Sequence, residues 1–280
     1  MTAATDHRPF AGKVALVAGA SRGIGAATAR AFADAGAAVV LGARDERALG
    51  EVAAGIRDKG GQALAVGTDV TDPAAVERLV ARGVDTYGRL DAAFNNAANG
   101  PPPTPLADLE PADFDRAIDS NLRGTFLGLR YEIPAMLPTG GGTIVNMASL
   151  AGVQGVANLA GYVAGKAGII GLTKVAALDY ADQGIRVNVV APGPILTEHI
   201  QAAGAEAQRL AGQSTPMRRI GQAAEVADVV LWLCSDRSSF VTGATIPIDG
   251  GQHAGSKPPQ MYRQGEPMQP DPGRGTTTTG

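Results

Sequence analysis

Short runs of β-branched and aliphatic residues alternate with longer, alanine-rich amphipathic stretches along most of this 280-residue chain. The candidate strands cover residues 13–18, 38–43, 62–67, 91–95, 142–147, 185–190 and 244–248. Candidate helices lie between them, over residues 24–35, 45–58, 73–86, 111–136, 159–181 and 223–235. Alternation of this kind is typical of βαβ units with a parallel sheet. The sequence therefore predicts an α/β fold, a doubly wound sheet of seven parallel strands with helices on both faces.

The composition argues against several classes of protein. Hydrophobic residues make up 45% of the chain and aromatic residues only 4%, so the core has to be built mainly from small aliphatic side chains. A net charge of -3 offers no basic footprint for a nucleic acid or an anionic membrane. Cys234 is the only cysteine, which excludes an intrachain disulfide and a cysteine-based zinc site. With no metal-ligand spacing and no long apolar run, we expect a cytoplasmic protein without a metal.

The chain divides into a single domain, residues 1–251, and a tail. Within the domain, residues 194–216 form a long segment rich in Ala and Gly after a candidate strand. Open α/β sheets bind ligands at strand ends, so this segment is predicted to be a lid; an ordinary surface helix with loose ends is the alternative. Residues 252–280 are rich in Pro and Gly and lack Leu, Ile and Val. They are predicted to be a disordered tail, and docking on a neighbouring subunit through Met261, Tyr262 and Met268 is the alternative.

A glycine-rich segment, Gly19-Ala20-Ser21-Arg22-Gly23-Ile24-Gly25, joins the first candidate strand to the first candidate helix. Glycines at such a turn let the backbone approach a pyrophosphate, and the N-terminus of the helix attracts its charge. In this strand, turn and helix context, the segment predicts the dinucleotide-binding loop of a Rossmann-type domain. The candidate cofactor contacts in the loop are Gly19, Ser21, Arg22, Gly23, Ile24 and Gly25.

The end of the second strand predicts which dinucleotide binds. An acidic residue there binds a ribose 2′-hydroxyl, whereas a basic residue accommodates a 2′-phosphate. In this chain Ala43 ends the strand and Arg44 follows it, and Arg22 of the glycine loop can close on the same phosphate. NADP(H) is therefore favoured over NAD(H). Asp45 and Glu46 come next, in a position that suits a helix N-terminus.

Tyr162 and Lys166 are four residues apart, and Ser149 lies upstream of them. On a helix, side chains at i and i+4 are neighbours, so an ammonium group can lie beside a phenol. A nearby cation is expected to lower the pKa of the phenol from about 10 towards neutrality. These three side chains together predict a proton-transfer site.

The glycine loop and the Ser149, Tyr162 and Lys166 set resemble the classical short-chain dehydrogenase/reductase family, and the resemblance covers about residues 10–251. It implies that Tyr162 is the acid/base, that Lys166 is its pKa partner and a ribose anchor, and that Ser149 donates a hydrogen bond to the substrate oxygen. Tyr162 and Lys166 are thereby also candidate cofactor contacts. Asn121, in Ser-Asn-Leu-Arg-Gly, matches the proton-relay asparagine of the family. Further matches to the family's cofactor-binding segments occur at Asp69, Val70, Asn96, Ala97, Pro192, Gly193, Ile195 and Thr197.

Three positions depart from the pattern of the resembled family. Ala18 stands where a threonine commonly precedes the glycine loop, and Ala98 where a glycine commonly ends Asn-Asn-Ala-Gly. Gly165 stands where a serine commonly precedes the catalytic lysine. A glycine inside a helix costs about 1 kcal/mol relative to alanine, so we expect close packing against the cofactor or another subunit at Gly165.

The resemblance implies an NADP(H)-dependent oxidoreductase that interconverts a ketone and a secondary alcohol by hydride transfer. Residues 99–106, 150–159 and 194–216 should line the substrate pocket, and their small apolar side chains suit a small or cyclic substrate. A 3-oxoacyl-carrier-protein reductase or a sugar (glucose 1-) dehydrogenase is the alternative enzyme. An NADP(H)-binding redox sensor or scaffold is the alternative without catalysis. Members of the resembled family are commonly homotetramers or homodimers joined through the helices near residues 111–136 and 159–181.

Overall fold

A parallel sheet of seven strands forms the core of the computed structural model, which describes residues 8–100 and 102–255. The strands in this part of the chain are β1 (Val14–Ala18), β2 (Ala38–Ala43), β3 (Gln62–Gly67), β4 (Ala92–Asn95), β5 (Gly142–Met147), β6 (Ile185–Pro192), β7 (Ile195–Leu196), β8 (Gly221–Gln222) and β9 (Thr245–Ile248). The large sheet has the order β3-β2-β1-β4-β5-β6-β9, and all its pairs are parallel. This confirms the predicted doubly wound fold.

Helices connect the strands and cover both faces of the sheet. They are α1 (Gly23–Asp34), α2 (Glu46–Asp58), α3 (Pro73–Tyr87), α4 (Pro111–Ile118), α5 (Gly124–Met136), α6 (Leu150–Val153), α7 (Ala160–Tyr180), α8 (Glu198–Ala202), α9 (Gly204–Gln213) and α10 (Ala223–Cys234). The helix predicted over residues 111–136 is two helices, because a π-helical turn, Asp119–Arg123, separates α4 from α5. Short 3-10 turns occur at Leu106–Asp108, Leu137–Thr139, Ala181–Gln183 and Asp236–Ser238.

Local sequence explains where two of the helices begin. The Asp45 carboxylate accepts a hydrogen bond from the Ala48 N–H at 3.0 Å and starts α2. The Asp72 carboxylate does the same for the Ala74 N–H at 3.0 Å and starts α3. Side chains of this type satisfy backbone donors that have no partner inside the helix.

The core consists of two apolar layers, one on each face of the sheet. Phe10, Phe32, Leu41, Leu49 and Phe94 belong to the layer under α1, α2 and α10. The opposite layer, under α3, α5 and α7, is built from aliphatic side chains such as Leu16, Leu79, Leu129, Met136 and Ile144. Strands buried on both faces read as continuous apolar runs, which is why the sequence revealed them.

The segment predicted as a lid is ordered into short elements. Residues 194–216 contain β7, α8 and α9, and β7 pairs with β8 in a separate two-stranded sheet. This small sheet was not predicted. The proposal that the segment is a lid stays a prediction.

The predicted tail lies almost entirely outside the described residues. Only residues 252–255 of it are described, and they continue the turn that follows β9. Among residues 8–100 and 102–255, no helix is both long and apolar enough to cross a membrane.

Candidate functional site

Three of the four predicted catalytic side chains, Ser149, Tyr162 and Lys166, meet in a cavity of about 240 Å³ outside the carboxyl ends of β4, β5 and β6. An open α/β sheet binds its ligands on this side, where the strand order reverses between β1 and β4. The predicted residues that line the cavity are Ile24, Asn96, Ser149, Tyr162, Lys166, Pro192, Gly193, Ile195 and Thr197. The other lining residues are Ala98, Met147 and Ala148, which the sequence reasoning did not assign to the pocket, and Pro194 and Ile200 of the predicted lid. No described residue of 99–106 or 150–159 lines this cavity, although both segments were expected to.

The glycine loop lies against the segment after β4. Gly19 has a φ of +80°, and a Cβ at this position would stand 2.8 Å from the backbone of Ala97. The Asn96 side chain donates a hydrogen bond to the Gly19 carbonyl at 3.0 Å. A Cβ on Gly25 would collide with the same carbonyl. Close approach of strand, loop and helix therefore requires glycine at both positions, as a dinucleotide-binding turn does.

The N-terminus of α1 behaves as an anion site. Arg22 precedes the helix but makes no side-chain cap, and the first turn contains no acidic residue. Instead, the Gly23 N–H donates to a carboxylate oxygen of Glu198 at 3.2 Å. A carboxylate on this N–H stands in for a phosphate, so the loop fits a dinucleotide diphosphate.

The residues predicted to contact the adenosine end of a dinucleotide lie at the ends of β2 and β3. The Asp69 carboxylate accepts hydrogen bonds from the Thr71 N–H at 2.9 Å and from its hydroxyl at 2.8 Å. These bonds, with a smaller contribution from the positive charge of Arg44, hold the pKa of Asp69 below its usual value. Arg44 and Arg22 are exposed. Val70 packs against Gly124, where a Cβ would stand 3.0 Å from a Val70 methyl group.

Ser149 is held between two elements. It is the N-cap of α6, where its hydroxyl oxygen accepts a hydrogen bond from the Ala151 N–H at 3.1 Å. The Ser149 hydroxyl also interacts with the Tyr162 phenol, and this interaction lowers the pKa of the phenol. Helix α6 therefore sets the position of Ser149 relative to α7.

Lys166 is completely buried on α7. Its Nζ donates to the Met147 carbonyl at 2.7 Å and lies 5.6 Å from the centre of the Tyr162 ring. Burial lowers the pKa of the Lys166 amine to about 7.

The pKa of Tyr162 does not follow the expectation from sequence. Burial raises it, and the interaction with the Ser149 hydroxyl offsets only part of that rise. The expectation that Lys166 lowers the pKa of Tyr162 is therefore wrong. Two features explain it: the amine is directed at a backbone carbonyl, and its own burial disfavours its charged form.

Asn121 lies in the π-helical turn and does not line the cavity. It is fully buried, and its Nδ2 donates to the carbonyls of Ala117 at 2.8 Å and Asn99 at 2.5 Å. Its Oδ1 has no partner among the described residues. Gly165 faces it, because a Cβ there would stand 3.2 Å from the Asn121 Cβ. Close packing inside the chain thus accounts for Gly165, in place of the predicted packing against a cofactor or another subunit.

Sequence reasoning missed two carboxylates near this site. One is Glu198, described above. The other is Glu132 on α5, which is buried and accepts a hydrogen bond from Asn95 at 2.9 Å. Asn95 also donates to Asn146 at 3.0 Å, and Asn146 donates to the Thr173 hydroxyl at 3.0 Å. Burial raises the pKa of Glu132 to about 7. The only signal in the sequence was a single acidic residue within a mostly apolar helix, in which Arg130 is the one other charged residue.

Comparison with known proteins agrees with this geometry. A family described as enoyl-(acyl carrier protein) reductase matches residues 19–253. An A-factor type gamma-butyrolactone 1′-reductase (1S-forming) of Streptomyces virginiae is 43% identical over 243 residues, which cover 85% of this chain and 95% of the relative. A cyclohexanol dehydrogenase of Acinetobacter sp. (strain SE19) is 44% identical over 241 residues, which cover 86% of this chain and 95% of the relative.

A solved structure points to the same relationship. The NAD+-bound xylitol dehydrogenase superposes with a TM-score of 0.82 and is 38% identical, and the match covers 86% of this chain and 99% of that one. This chain therefore belongs to the classical short-chain dehydrogenase/reductase family, oxidoreductases that act on alcohol and ketone groups with NAD(H) or NADP(H).

Proposed function

We propose that this protein is an NADP(H)-dependent oxidoreductase that interconverts a small or cyclic ketone and its secondary alcohol. One observation carries the proposal: Ser149, Tyr162 and Lys166 share a cavity with Asn96 and Thr197, beside a glycine loop that accepts an anion. A carbonyl in this cavity can reach a proton donor and a hydroxyl together.

Each residue has a separate task in this reaction. Hydride transfer to or from the carbonyl carbon is the chemistry that a bound nicotinamide supplies. Tyr162 gives its proton to the carbonyl oxygen in reduction, and its raised pKa keeps the phenol protonated at neutral pH. The hydroxyl of Ser149 donates a hydrogen bond to the same oxygen and stabilises its developing charge. Ketone, hydride and proton together give the alcohol.

Two further residues assist Tyr162, the proton donor. Lys166 is buried on α7, where it binds the ribose of the cofactor and keeps the Tyr162 side chain in position. Asn121, whose Oδ1 has no protein partner among the described residues, belongs to the relay that returns protons from solvent to Tyr162.

The preference for NADP(H) follows from two arginines. Arg44 directly follows β2, where no carboxylate is present to bind a ribose 2′-hydroxyl, and Arg22 extends from the glycine loop. Both side chains are exposed and bear positive charge, which suits a 2′-phosphate. The remaining proposed contacts are Asp69 and Val70 for the adenine, Ala97 beside Gly19, and Pro192, Gly193, Ile195 and Thr197 for the nicotinamide amide.

The cavity wall supports a small, mostly apolar substrate. Met147, Ala148, Pro194 and Ile200 line it, and none of them carries a charge. The names of two relatives, a cyclohexanol dehydrogenase and a gamma-butyrolactone reductase, point to ring-containing substrates. A sugar or polyol dehydrogenase is the second candidate, because the xylitol dehydrogenase is of comparable similarity.

The first test is loss of nicotinamide absorbance with a panel of cyclic ketones, quinones and β-keto esters, run with NADPH and NADH in parallel. Faster turnover with NADPH is expected. Faster turnover with NADH would overturn the argument from Arg22 and Arg44 while leaving the reaction type intact. The reverse assay offers cyclohexanol and xylitol with the oxidised cofactors, and turnover of xylitol alone would favour the polyol candidate.

Replacement of the proton donor separates an enzyme from a binding protein. In Tyr162→Phe we expect turnover to fall by about 10²–10⁴-fold, the range for loss of a general acid, while binding of the cofactor stays measurable. The control is wild type in the same assay. Tight cofactor binding by wild type without turnover of any substrate would instead support a redox sensor or scaffold.

We also expect a homo-oligomer, joined through α5 and α7. These helices present exposed apolar side chains, Phe126 on α5 and Val175 and Leu178 on α7. Apolar surface on the outside of a helix that is also buried on its inner side is typical of a subunit interface.

A further inference from the structure

Helix α1 has no side-chain cap from its own N-cap residue. Helices α2 and α3 each begin with their own aspartate, whereas α1 follows Arg22, whose side chain makes no cap. The carboxylate on the Gly23 N–H comes from Glu198, 175 positions away in the sequence. The Glu198 Oε2 and the Thr197 Cγ2 are also each 3.4 Å from the place that a Gly23 Cβ would occupy. Residues 197 and 198 therefore cover the N-terminus of α1.

A helix N-terminus of this kind attracts one anion, through the same few N–H groups that a diphosphate would use. Two negative charges about 4 Å apart repel each other even in a water-like medium. The repulsion lowers the affinity for the second anion by a factor of about five to ten. Arg22 is the basic residue nearest in sequence, and its side chain makes no cap hydrogen bond at this N-terminus.

We propose that Glu198 is a built-in competitor for the diphosphate of the cofactor. The inference depends on the proposed function, since it assumes a nicotinamide dinucleotide at the glycine loop. Glu198 holds the Gly23 N–H in the free protein and has to leave it when the diphosphate binds. Its departure moves α8, and α8 also carries Ile200, which lines the substrate cavity. Glu198 thereby lowers cofactor affinity and links cofactor binding to the shape of the substrate cavity.

The test compares Glu198→Gln with wild type by calorimetric titration of NADP+ without substrate. The glutamine keeps the shape of the side chain and removes its charge. We expect about five- to tenfold tighter binding of NADP+ to Glu198→Gln. The matched control is Glu206→Gln on α9, which also removes one carboxylate from segment 194–216. Glu206 pairs with Arg209 and not with the glycine loop, so its NADP+ affinity should stay at the wild-type value.

Adenosine 2′-phosphate distinguishes direct competition from a general effect of charge. It carries the 2′-phosphate and lacks the diphosphate, so Glu198→Gln should bind it as wild type does. An equal gain in affinity for both ligands would overturn the proposal, because the variant would then act through net charge. Unchanged or weaker NADP+ binding in Glu198→Gln would overturn it as well.

Thermal unfolding gives a readout that a merely structural role would not produce. Without ligand, Glu198→Gln should melt at or below the wild-type temperature, because the charged cap on Gly23 is lost. With saturating NADP+, its rise in melting temperature should exceed that of wild type, because stabilisation grows with affinity. A variant that is merely damaged would show a smaller rise, which would contradict the proposal.

Failure of this inference is distinguishable from failure of the proposed function. Wild type that binds NADP+ and reduces ketones, with a Glu198→Gln variant of unchanged affinity, would contradict only the role of Glu198. If neither protein bound NADP+, NADPH, NAD+ or NADH, the proposed function would be wrong and this inference with it.

Discussion

Glu132 shows at the scale of one residue how burial changes the chemistry of a side chain. Its carboxyl lies in the core against Asn95. Asn95 is followed by Asn96, which holds the glycine loop. Burial raises the pKa of Glu132 from 4.5 to about 7, so the folded protein binds this proton more tightly than the unfolded chain. Its contribution to stability is fully present below about pH 4.5 and is lost as the pH rises through about 7.

We therefore expect Glu132→Gln to be more stable than wild type at pH 8, by about 1–3 kcal/mol in the free energy of unfolding. Well below pH 4.5 this advantage should disappear, because the wild-type carboxyl is then neutral in both the folded and the unfolded state. Urea unfolding across this pH range measures the difference. Burial lowers the pKa of Lys166 to about 7, so its effect on stability has the opposite dependence on pH. Lys166 is present in both proteins, and its effect cancels in the difference between them.

The exposed carboxylate of Glu77 on α3 provides the control for Glu132. Glu77→Gln makes the same chemical change at the surface, so its stability should follow wild type at every pH. A constant offset between Glu132→Gln and wild type over the whole range would show that the buried carboxyl does not titrate as argued.

Sequence predicted the residues of this site where their relationship is local. Tyr162 and Lys166 share one helix, and Ser149 directly follows the strand that supports it. Glu132 and Glu198 were missed because their partners lie 37 and 175 positions away, and no periodicity connects such positions. The pKa of Tyr162 was predicted in the wrong direction because burial depends on the whole surrounding fold.

At the scale of elements, the contact between α6 and α7 decides where Ser149 stands. A Cβ on Gly152 of α6 would lie 2.7 Å from the Lys166 carbonyl carbon and 2.9 Å from its Cβ. We expect Gly152→Ala to push α6 away from α7 and move Ser149 relative to Tyr162. Overpacking of this kind costs about 1–3 kcal/mol, and we expect kcat to fall by about tenfold or more, since reacting groups are sensitive to small displacements.

Gly155→Ala is the matched control, because no heavy atom lies within 4 Å of its added Cβ. Melting temperature and steady-state kinetics of both variants check the prediction. Wild-type kcat and stability in Gly152→Ala would mean that α6 can shift without disturbing Ser149.

The longer strands and helices could be predicted from the sequence, whereas the shortest ones could not. The strands of the large sheet and the long helices carry clear apolar patterns, and their bounds agree to within one or two residues at most ends. The two-residue strands β7 and β8 have no pattern to read. The π-helical turn at Asp119–Arg123 was hidden because α4 and α5 continue it on both sides.

At the scale of the whole molecule, α7 has apolar side chains on two opposite faces. Ile169 and Ala176 are buried against the sheet, whereas Leu178 is 83% exposed and Val175 is 53% exposed. A helix that is apolar all round is normally buried. The outer face of α7 is therefore expected to be covered in the working protein by a second copy of this chain.

Leu178→Glu places a charge on that face and should shift the protein towards smaller assemblies in light scattering, since an unpaired charge in an interface is strongly unfavourable. The comparison is Leu210→Glu on α9, where an exposed leucine belongs to segment 194–216 and not to α5 or α7. This variant should keep the wild-type molar mass. Because Tyr162 and Lys166 lie on α7 as well, loss of assembly should also lower kcat in Leu178→Glu. A wild-type monomer, or equal dissociation in both variants, would contradict the assignment of this face.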